Sequence, residues 1–382
     1  MSRPLRVLSI TTLFPRPDKP GFGGFVARQF AALVERGDAD LTVISPIARP
    51  LIASKPSIDT SRGYPVHYLP FATVPKLGAR WNPALIARAA LPLVCRLHAE
   101  QPFDLIDAQF FYPDGPAAAR IAKEIGLPLS IKARGSDIHY WGTQDYALRQ
   151  MLRAAEQASE LLAVSEALKA DMVGLGMAAE RIAVHYTGLD HTKFWPRPSA
   201  REVLEPPVPF SAPLLVSIGN LIPLKGHALA IEALSGIPAA HLLIAGDGPE
   251  QAALSQLAAR LGLADRVHLL GSMSNDMVPL LLAAADAFVL PSEREGLANV
   301  WIEALACGTP LVITNVGGAR EVVGDPSAGR LVERSPRAIA NAVCDLLADP
   351  PARADVARHA ARFSWEANAA QLAAHYQRIA KA

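Results

Sequence analysis

Short apolar runs alternate with helix-length segments along most of the chain. The apolar runs of the first half, which we predict to be strands, are residues 5–11, 41–45, 105–108, 129–132, 161–164 and 182–185. The segments of helical length between them are residues 25–36, 83–100, 116–125 and 167–175. Short apolar strands separated by helices are typical of parallel sheets that are covered by helices on both faces.

A proline-rich stretch at residues 194–213 interrupts this pattern, which then resumes. The predicted strands of the second half are residues 214–218, 241–245, 267–270, 287–290 and 311–314, and the predicted helices are residues 225–234, 250–261, 278–284 and 298–306. Two such blocks predict an α/β protein with two doubly wound, Rossmann-like domains that face each other across a cleft. The predicted parts are an N-terminal domain at 1–195, a linker at 196–213, a C-terminal domain at 214–363, and a last helix at 364–382 with the option of packing back on the N-terminal domain.

The composition narrows the class of protein. Of the 382 residues 51% are hydrophobic, and 37 basic residues face 36 acidic ones, so we expect no nucleic-acid partner. No apolar run reaches the roughly 18 residues of a membrane-spanning helix, and the apolar part of the N-terminus is too short for a signal peptide. The three cysteines lie in apolar runs and are predicted to be buried thiols of a cytoplasmic protein.

The segment from Glu295 to Cys307 carries the clearest candidate chemistry. From Leu297 onwards it is apolar except at Asn299 and Glu303, which are four residues apart and therefore share one face of the predicted helix. A buried carboxylate is costly without partners, and the start of a helix favours anions. The segment predicts a polar ligand site; a structural glutamate held by backbone or arginine is the alternative.

Several glycine-rich turns fall at the carboxyl ends of predicted strands, where open parallel sheets bind ligands. These turns are Gly23-Gly24 and Gly135-Ser136-Asp137 in the first domain, and Gly219-Asn220, Gly246-Asp247-Gly248 and Gly317-Gly318 in the second. Each one alone is explained as well by a plain turn. The features that fall on one edge of the second sheet are harder to explain by chance, and Lys225 at that edge can reach a diphosphate.

Other motifs either lie away from the carboxyl ends of the predicted strands or are missing from the sequence. Asp38-Ala39-Asp40 has the acid-x-acid spacing associated with metal-bound sugar nucleotides, but it lies at the start of a strand, on the opposite edge. No His, Cys and Asp cluster has metal-ligand spacing, and neither a Gly-x-Ser-x-Gly motif nor a Walker loop occurs. A complete Gly-x-Gly-x-x-Gly is missing after the first strand, which weakens an oxidoreductase interpretation. We expect no metal and no cofactor.

Taken together, these residues resemble family 4 of the retaining glycosyltransferases. The likeness covers nearly the whole chain and is most specific in Pro-Ser-Glu-Arg-Glu-Gly-Leu-Ala-Asn from Pro291 and in Glu-Ala-Leu-Ala-Cys-Gly-Thr-Pro from Glu303. The opening, Leu13-Phe14-Pro15 followed by Gly23-Gly24, is most similar to the bacterial exopolysaccharide and teichuronic-acid branch.

The resemblance implies the GT-B fold and metal-independent, retaining transfer from a nucleotide-sugar, expected to be a UDP- or GDP-sugar, to a glycan or lipid-linked acceptor. The donor would lie in the C-terminal domain, with Glu303 on the ribose, Lys225 on the diphosphate and Glu295 near the sugar. The implied donor-binding positions are Gly23, Gly24, Gly219, Asn220, Lys225, Gly246, Gly248, Glu295, Gly296, Leu297, Ala298, Asn299 and Glu303. The implied catalytic positions are Glu295, Lys225, Arg134 and Asp137.

The chain departs from the family pattern at three positions. Asn220 stands where the family usually has Arg, and Gln109 and Arg134 stand where it often has His. The first change removes a cation from the diphosphate site, and our hypothesis is that Arg134 supplies it instead. Asp137 is a candidate polar contact and not a base. A sugar-nucleotide epimerase or hydrolase of the same fold, and a non-catalytic nucleotide-sugar-binding protein, remain open as alternatives.

Residues 76–98 carry cations among apolar side chains and no acid. The basic residues are Lys76, Arg80, Arg88 and Arg96, interleaved with Trp81 and several leucines. Such a segment is typical either of peripheral contact with an anionic membrane or of a core-facing amphipathic helix with a solvated Arg side. We therefore expect a cytoplasmic protein, with the inner face of the membrane as one option.

Overall fold

The computed structural model of the chain describes residues 3–49, 55–73, 78–198, 200–204, 208–209, 211–274 and 276–381. Lys76 and Leu77 of the predicted membrane segment lie outside these ranges, as do residues 199, 205–207 and 210 of the predicted linker. The chain divides into two units, Met1–Gly188 with Trp365–Ala382, and Leu189–Ser364. Residues 189–195, which the sequence analysis assigned to the first domain, group with the second unit.

The first unit is built on one large sheet. Its strands among the described residues are β1 (Leu5–Ile10), β2 (Ala39–Arg49), β3 (Ser57–Asp59), β4 (Val66–Ala72), β5 (Leu105–Ala108), β6 (Leu129–Ala133), β7 (Glu160–Ala163) and β8 (Ile182–Val184). Its helices up to the end of β8 are α1 (Gly24–Glu35), α2 (Asn82–Glu100), α3 (Asp114–Ile125), α4 (Ser136–His139), α5 (Asp145–Gln157) and α6 (Glu166–Gly174). The strand order is β3-β4-β2-β1-β5-β6-β7-β8, and all pairings except β3 with β4 are parallel.

The second unit repeats the architecture with a smaller sheet. Its strands are β9 (Leu214–Ile218), β10 (His241–Ala245), β11 (Val267–Gly271), β12 (Ala287–Leu290), β13 (Leu311–Thr314) and β14 (Gly329–Val332). Its helices are α7 (His227–Leu234), α8 (Gln251–Arg260), α9 (Val278–Ala284), α10 (Asn299–Ala306), α11 (Ala319–Val322), α12 (Pro336–Ala348) and α13 (Arg353–Arg358). The order β11-β10-β9-β12-β13-β14 is parallel throughout. The prediction of two doubly wound α/β domains is confirmed.

The chain returns to the first unit at its end. Helix α14 (Trp365–Ile379) packs on α1, and its Leu372 and Tyr376 belong to the same hydrophobic core as Val7 and Phe30. Both aromatic side chains of this set are fully buried. The core of the first unit is therefore made by residues from both ends of the chain.

Burial explains why the sequence pattern predicted the strands well. All four residues of β5, β12 and β13 are buried, because helices cover both faces of each sheet. The prediction of three buried thiols is wrong for Cys95, which is exposed on the solvent side of α2, whereas Cys307 is buried and Cys344 half-buried. In the described part of the chain, no helix is both long and apolar enough to cross a membrane.

Candidate functional site

The candidate residues of the second unit gather where its sheet changes direction. From β9 the chain runs outward to β10 and β11 on one side, and β12, β13 and β14 then lie on the other side. The order reverses between β9 and β12, and ligands of open parallel sheets bind at such switch points. Lys225 follows β9 and Glu295 follows β12, so both predicted residues border the switch point.

Lys225 and Glu295 form an ion pair, with the lysine Nζ 2.5 Å from the glutamate Oε1. The Ser292 hydroxyl donates to the same oxygen over 2.7 Å. The exposed fractions are 19% for the lysine side chain and 11% for the glutamate side chain. Because both are largely shielded from water, their attraction is screened less than that of a surface pair. The sheet edge thus holds a positive and a negative group in direct contact.

Glycines let the loops of this edge touch backbone to backbone. Gly246 has a φ of +141°, and a Cβ there would lie 1.9 Å from the carbonyl oxygen of Gly219. A Cβ on Gly248 would lie 2.3 Å from the carbonyl oxygen of Leu221. Neither position has room for a side chain, so these glycines bring the loop after β10 against the loop after β9.

Helix α10 follows the loop that carries Glu295, and one face of this helix is only half-buried. Asn299, Val300 and Glu303 are half-buried, whereas positions 301, 302 and 304–306 are buried. Gly296 and Leu297 are buried, and Ala298 precedes the helix without a side-chain hydrogen bond to its first amides. A helix start of this kind has unpaired amide donors that suit an anion. Asn299 and Glu303 lie on the half-buried face; Asn220 is exposed in the loop after β9.

The structure adds two arginines that no motif had indicated. A cavity of about 480 Å³ lies next to the ion pair's loop and is lined by Ser292, Thr314, Asn315, Val316, Arg320, Leu331, Val332, Glu333 and Arg334. Arg334 donates from Nε to the carbonyl oxygen of Pro291 over 3.1 Å and from Nη2 to that of Pro223 over 3.0 Å. It thereby joins the loops that follow β9 and β12. Arg334 lies far along the chain from the predicted site residues, so only the fold reveals its proximity to the site, whereas Arg320 follows the predicted Gly317-Gly318 turn by two residues.

The sheet of the first unit has its own switch point, between β1 and β5. Gly23 and Gly24 lead from β1 into α1. A Cβ on Gly23 would lie 2.6 Å from the backbone of Leu13, whereas one on Gly24 would meet open space. Gly23 is therefore needed for the turn, and Gly24 leaves room for a ligand at the start of α1. Gln109 directly follows β5 and is fully buried.

Arg134 lies at the carboxyl end of β6 and is held by two glutamines. Its Nη2 donates to the side-chain oxygen of Gln109 and, over 3.4 Å, to that of Gln29; its Nε donates to the backbone oxygen of Gln109 over 3.2 Å. The guanidinium carbon lies 5.0 Å from the centre of the Phe25 ring. Burial lowers the pKa of Arg134 to about 10, so it stays charged at neutral pH. A cation thus stands where the family often has His.

A fully buried lysine, Lys132, contacts the same glutamine, Gln29, that accepts from Arg134. The Nζ of Lys132 donates to the Gln29 side-chain oxygen over 3.2 Å and lies 2.6 Å from His185 Nδ1. Because His185 Nε2 lies 2.9 Å from the carbonyl oxygen of Asn368, that nitrogen carries the proton and Nδ1 accepts from the lysine. Burial lowers the pKa of Lys132 well below its usual value. No local pattern indicates this network, because its members come from β6, α1, the segment after β8 and α14.

The carboxylate of Asp137 is occupied by backbone amides. It accepts hydrogen bonds from the N–H groups of Phe111, Arg134, Gly135 and Ile138, at 2.7 to 3.1 Å. The side chain is fully buried. In this arrangement Asp137 fixes the loop that carries Arg134, which makes it a positioning residue.

Asp114, at the start of α3, is a second buried acid near this edge. One of its oxygens accepts from the backbone N–H of Thr12 over 2.7 Å, and burial raises its pKa to about 8. It is therefore mostly protonated at neutral pH. Among the described residues, no group of three or more His, Cys, Asp and Glu side chains is arranged to hold a metal ion.

Two parallel-sheet units, each with glycine turns and charged side chains at its switch point, define the class of GT-B glycosyltransferases. Residues 21–188 match the family model described as a glycosyl transferase 4-like domain, and residues 205–363 match that of the group 1 glycosyl transferases. The chain belongs to family 4 of the glycosyltransferases.

Relatives and solved structures agree with this family. A Bacillus subtilis (strain 168) protein, provisionally named as a glycosyltransferase of teichuronic acid biosynthesis, is 30% identical over 89% of this chain and 88% of its own. Sucrose-phosphate synthase from Thermosynechococcus elongatus superposes with a TM-score of 0.80 at 22% identity, covering 98% of each chain. HepE of Anabaena, solved in complex with UDP, has a TM-score of 0.76 at 25% identity and covers 98% of this chain and 100% of its own.

Proposed function

We propose that this glycosyltransferase moves a sugar, with retention of its anomeric configuration and without a metal ion, from a UDP- or GDP-sugar to a glycan or lipid-linked acceptor. The proposed pathway class is bacterial polysaccharide or glycolipid synthesis. The name of the teichuronic-acid relative supports the proposed pathway class, and the UDP bound to HepE supports a nucleotide-sugar donor.

The observation that carries the proposal is the Lys225–Glu295 pair at the switch point of the second unit, 2.5 Å from Nζ to Oε1. Beside it stands the start of α10, whose amides suit phosphate oxygens. Each of these groups suits one part of a nucleotide-sugar. Lys225 and the start of α10 suit the diphosphate, and the half-buried Glu303 suits the ribose hydroxyls.

In the proposed reaction the bond between the anomeric carbon and the diphosphate oxygen breaks. The acceptor hydroxyl attacks the anomeric carbon from the same face, and its proton passes to the departing phosphate oxygen. Positive charge develops on the sugar ring and negative charge on the diphosphate. Lys225 and the α10 amides stabilise the leaving group, because preorganised dipoles and charges act where charge develops. Glu295 holds Lys225 in place and contacts the donor sugar, and Glu303 binds the ribose.

Arg134 is the proposed catalytic cation of the first unit. Its two glutamine partners are neutral and orient the guanidinium, and its charged neighbours are the buried carboxyl groups of Asp137 and Asp107. In this proposal Arg134 compensates for the cation that the family usually carries at the position of Asn220. Asp137 contributes by holding the Arg134 loop, and Gly23 and Gly24 by opening the start of α1 to the donor.

We further propose peripheral contact with an anionic membrane through the basic side of α2. Arg88 and Arg96 are exposed on this helix, while Ile86, Ala90 and Val94 face the core. The apolar stripe is thus used inside the unit, and the membrane contact rests on the cations together with Trp81, which is 49% exposed. The proposed location is the inner face of the membrane.

A thermal-shift panel of UDP, GDP, ADP and their sugars tests the donor assignment, because a ligand that binds only the folded state raises the melting temperature. The preferred nucleotide-sugar is then incubated with the protein, with and without a bacterial lipid extract. Acceptor-dependent release of the nucleoside diphosphate is expected. Free sugar released at full rate without acceptor identifies a hydrolase, and tight binding without turnover identifies a non-catalytic binding protein; either outcome refutes the transferase proposal.

A further inference from the structure

A group of aromatic rings in the first unit includes one that is exposed, Tyr140, six residues after Arg134. Tyr140 is 58% exposed and lies edge-on to Trp141, with ring centres 4.9 Å apart and planes at 78°. Trp141 in turn lies 4.8 Å from the ring of Tyr112, which also meets Tyr146 edge-on at 6.4 Å. These four residues, Tyr112, Tyr140, Trp141 and Tyr146, are called the aromatic shelf below.

The shelf is firmly seated. Tyr112 is fully buried, and its hydroxyl donates to the carbonyl oxygen of Ala79 over 2.7 Å. The Thr143 hydroxyl donates to the carbonyl oxygen of Tyr140 over 2.8 Å. A Cβ on Gly142 would lie 2.7 Å from a methyl carbon of Leu175, so the turn is pressed against the end of α6. A large apolar ring is thus presented to solvent on a rigid support, which lowers the entropy lost when a ligand stacks on it.

Two residues of the shelf, Tyr140 and Trp141, lie in the segment between β6 and α5 that also carries the proposed catalytic cation, Arg134. The Asp137 carboxylate accepts from the N–H groups of Arg134 and Ile138, and Tyr140 comes two residues later. This loop follows the carboxyl end of β6, the edge at which the first unit also carries Gly24 and Gln109. Tyr140 therefore follows the proposed catalytic cation by six residues, at the same edge of the sheet.

The chemistry around the shelf fits a sugar ring. Ser136 is exposed, and the His139 Nε2 lies 2.8 Å from a carboxylate oxygen of Asp171, which is itself half open to solvent. A pyranose has a face of C–H bonds that matches an aromatic ring and a rim of hydroxyls that matches such polar groups. Arg80 follows Ala79, to which Tyr112 donates, whereas Asp145 begins α5 and Asp171 pairs with His139, so charges of both signs border the shelf.

We propose that the aromatic shelf is a stacking subsite for a pyranose ring of the acceptor. The inference rests on the proposed transferase function and narrows it: the acceptor carries a sugar next to the hydroxyl that reacts, so a bare lipid phosphate is not the substrate. Tyr140 and Trp141 are then residues that determine acceptor specificity.

Saturation-transfer NMR with a panel of methyl α- and β-pyranosides tests this subsite directly. We expect transfer from the protein to the ring C–H protons of at least one pyranoside, and an affinity about three- to tenfold lower in Tyr140→Ala. Tyr140→Phe keeps the ring and should bind as wild type. Trp195→Ala is the matched control, because Trp195 is an aromatic of similar exposure, 46%, on the second unit. Unchanged melting temperatures show that the variants fold.

Three results overturn the shelf proposal. One is the absence of pyranoside binding to the wild-type protein, and another is equal affinity in Tyr140→Ala. The third is loss of pelleting with phosphatidylglycerol vesicles in Tyr140→Ala with pyranoside affinity unchanged, which would make the shelf a membrane anchor. Acceptor-dependent release of the nucleoside diphosphate by the wild-type protein separates the two failures: transfer without pyranoside binding refutes only the shelf proposal, whereas the absence of acceptor-dependent transfer refutes the proposed function.

Discussion

Replacing Lys225 tests the donor site most sharply, because this lysine has an acidic partner that the substitution leaves behind. Lys225→Ala removes one charge-assisted hydrogen bond to the proposed diphosphate, worth roughly 1.5–3 kcal/mol, or about a 10- to 150-fold weaker affinity. It also leaves the Glu295 carboxylate, now without its cation 2.5 Å away, beside the phosphates. The loss should therefore reach the upper part of this range.

A double-mutant cycle separates the two contributions. Glu295→Gln keeps the side chain's size and a partner for the Ser292 hydroxyl, but it frees Lys225 from its counter-charge. Its affinity for a nucleoside diphosphate should equal or exceed that of the wild type, while transfer slows. Lys225→Ala/Glu295→Gln should bind more tightly than Lys225→Ala alone by up to about 1 kcal/mol, because the repelling carboxylate is gone.

Isothermal titration with UDP and GDP at low and high salt measures these affinities, and the differences should shrink with salt. Lys193→Ala is the charge-matched control, since Lys193 pairs with Asp276 over 3.5 Å on the surface of the same unit. Unchanged affinity in both Lys225→Ala and Glu303→Ala refutes the site assignment. A double variant no better than Lys225→Ala refutes the repulsion argument.

Further predictions concern the first unit and the reaction. Arg134→Ala should lower the transfer rate more than Arg134→His, and rates like wild type in both would disprove its role. Transfer should survive EDTA; loss that magnesium or manganese restores would contradict metal independence. Arg80→Glu/Arg88→Glu should reduce salt-sensitive pelleting with anionic vesicles, and wild type that stays in the supernatant at low salt excludes the membrane contact. Burial raises the pKa of Asp114 from 3.8 to about 8 in the folded state, so folding takes up a proton there and the free energy of unfolding falls as pH rises between these values. Asp114→Asn should make this fall less steep when the free energy of unfolding is measured with urea across that pH range. The same pH dependence in the variant and the wild type would refute this role of Asp114.

The fold was predictable from sequence where burial is continuous and less so at sheet edges. The predicted strand at 41–45 runs on to Arg49 through Pro46. Beyond Ile44, β2 has lost β1 as a neighbour and pairs only with β4, so a residue without an amide hydrogen is tolerated there. The three-residue β3 has no room for a recognisable alternation. Strands β4 and β14 were not predicted either, and β3, β4 and β14 all lie at or next to the outer ends of their sheets.

The candidate site divides in the same way. Lys225 and Glu295 were predictable because each follows a predicted strand at its carboxyl end, but the ion pair joins residues 70 positions apart and no local pattern encodes such a contact. The contacts of Lys132, by contrast, could not be predicted from the sequence at all. A lysine inside an apolar strand gives no signal of its partners, because Gln29 and His185 reach it from separate elements.

The return of α14 to the first unit has a consequence for how the protein is made. A nascent chain that ends at residue 364 contains all of the second unit but only part of the core of the first, because Leu372 and Tyr376 are still to come. The second unit can therefore close first, as one uninterrupted stretch of chain, whereas the first must wait for the last helix. Loss of a few C-terminal residues, by a premature stop codon or by a protease, would thus damage the unit that contains the N-terminus and spare the unit next to the break.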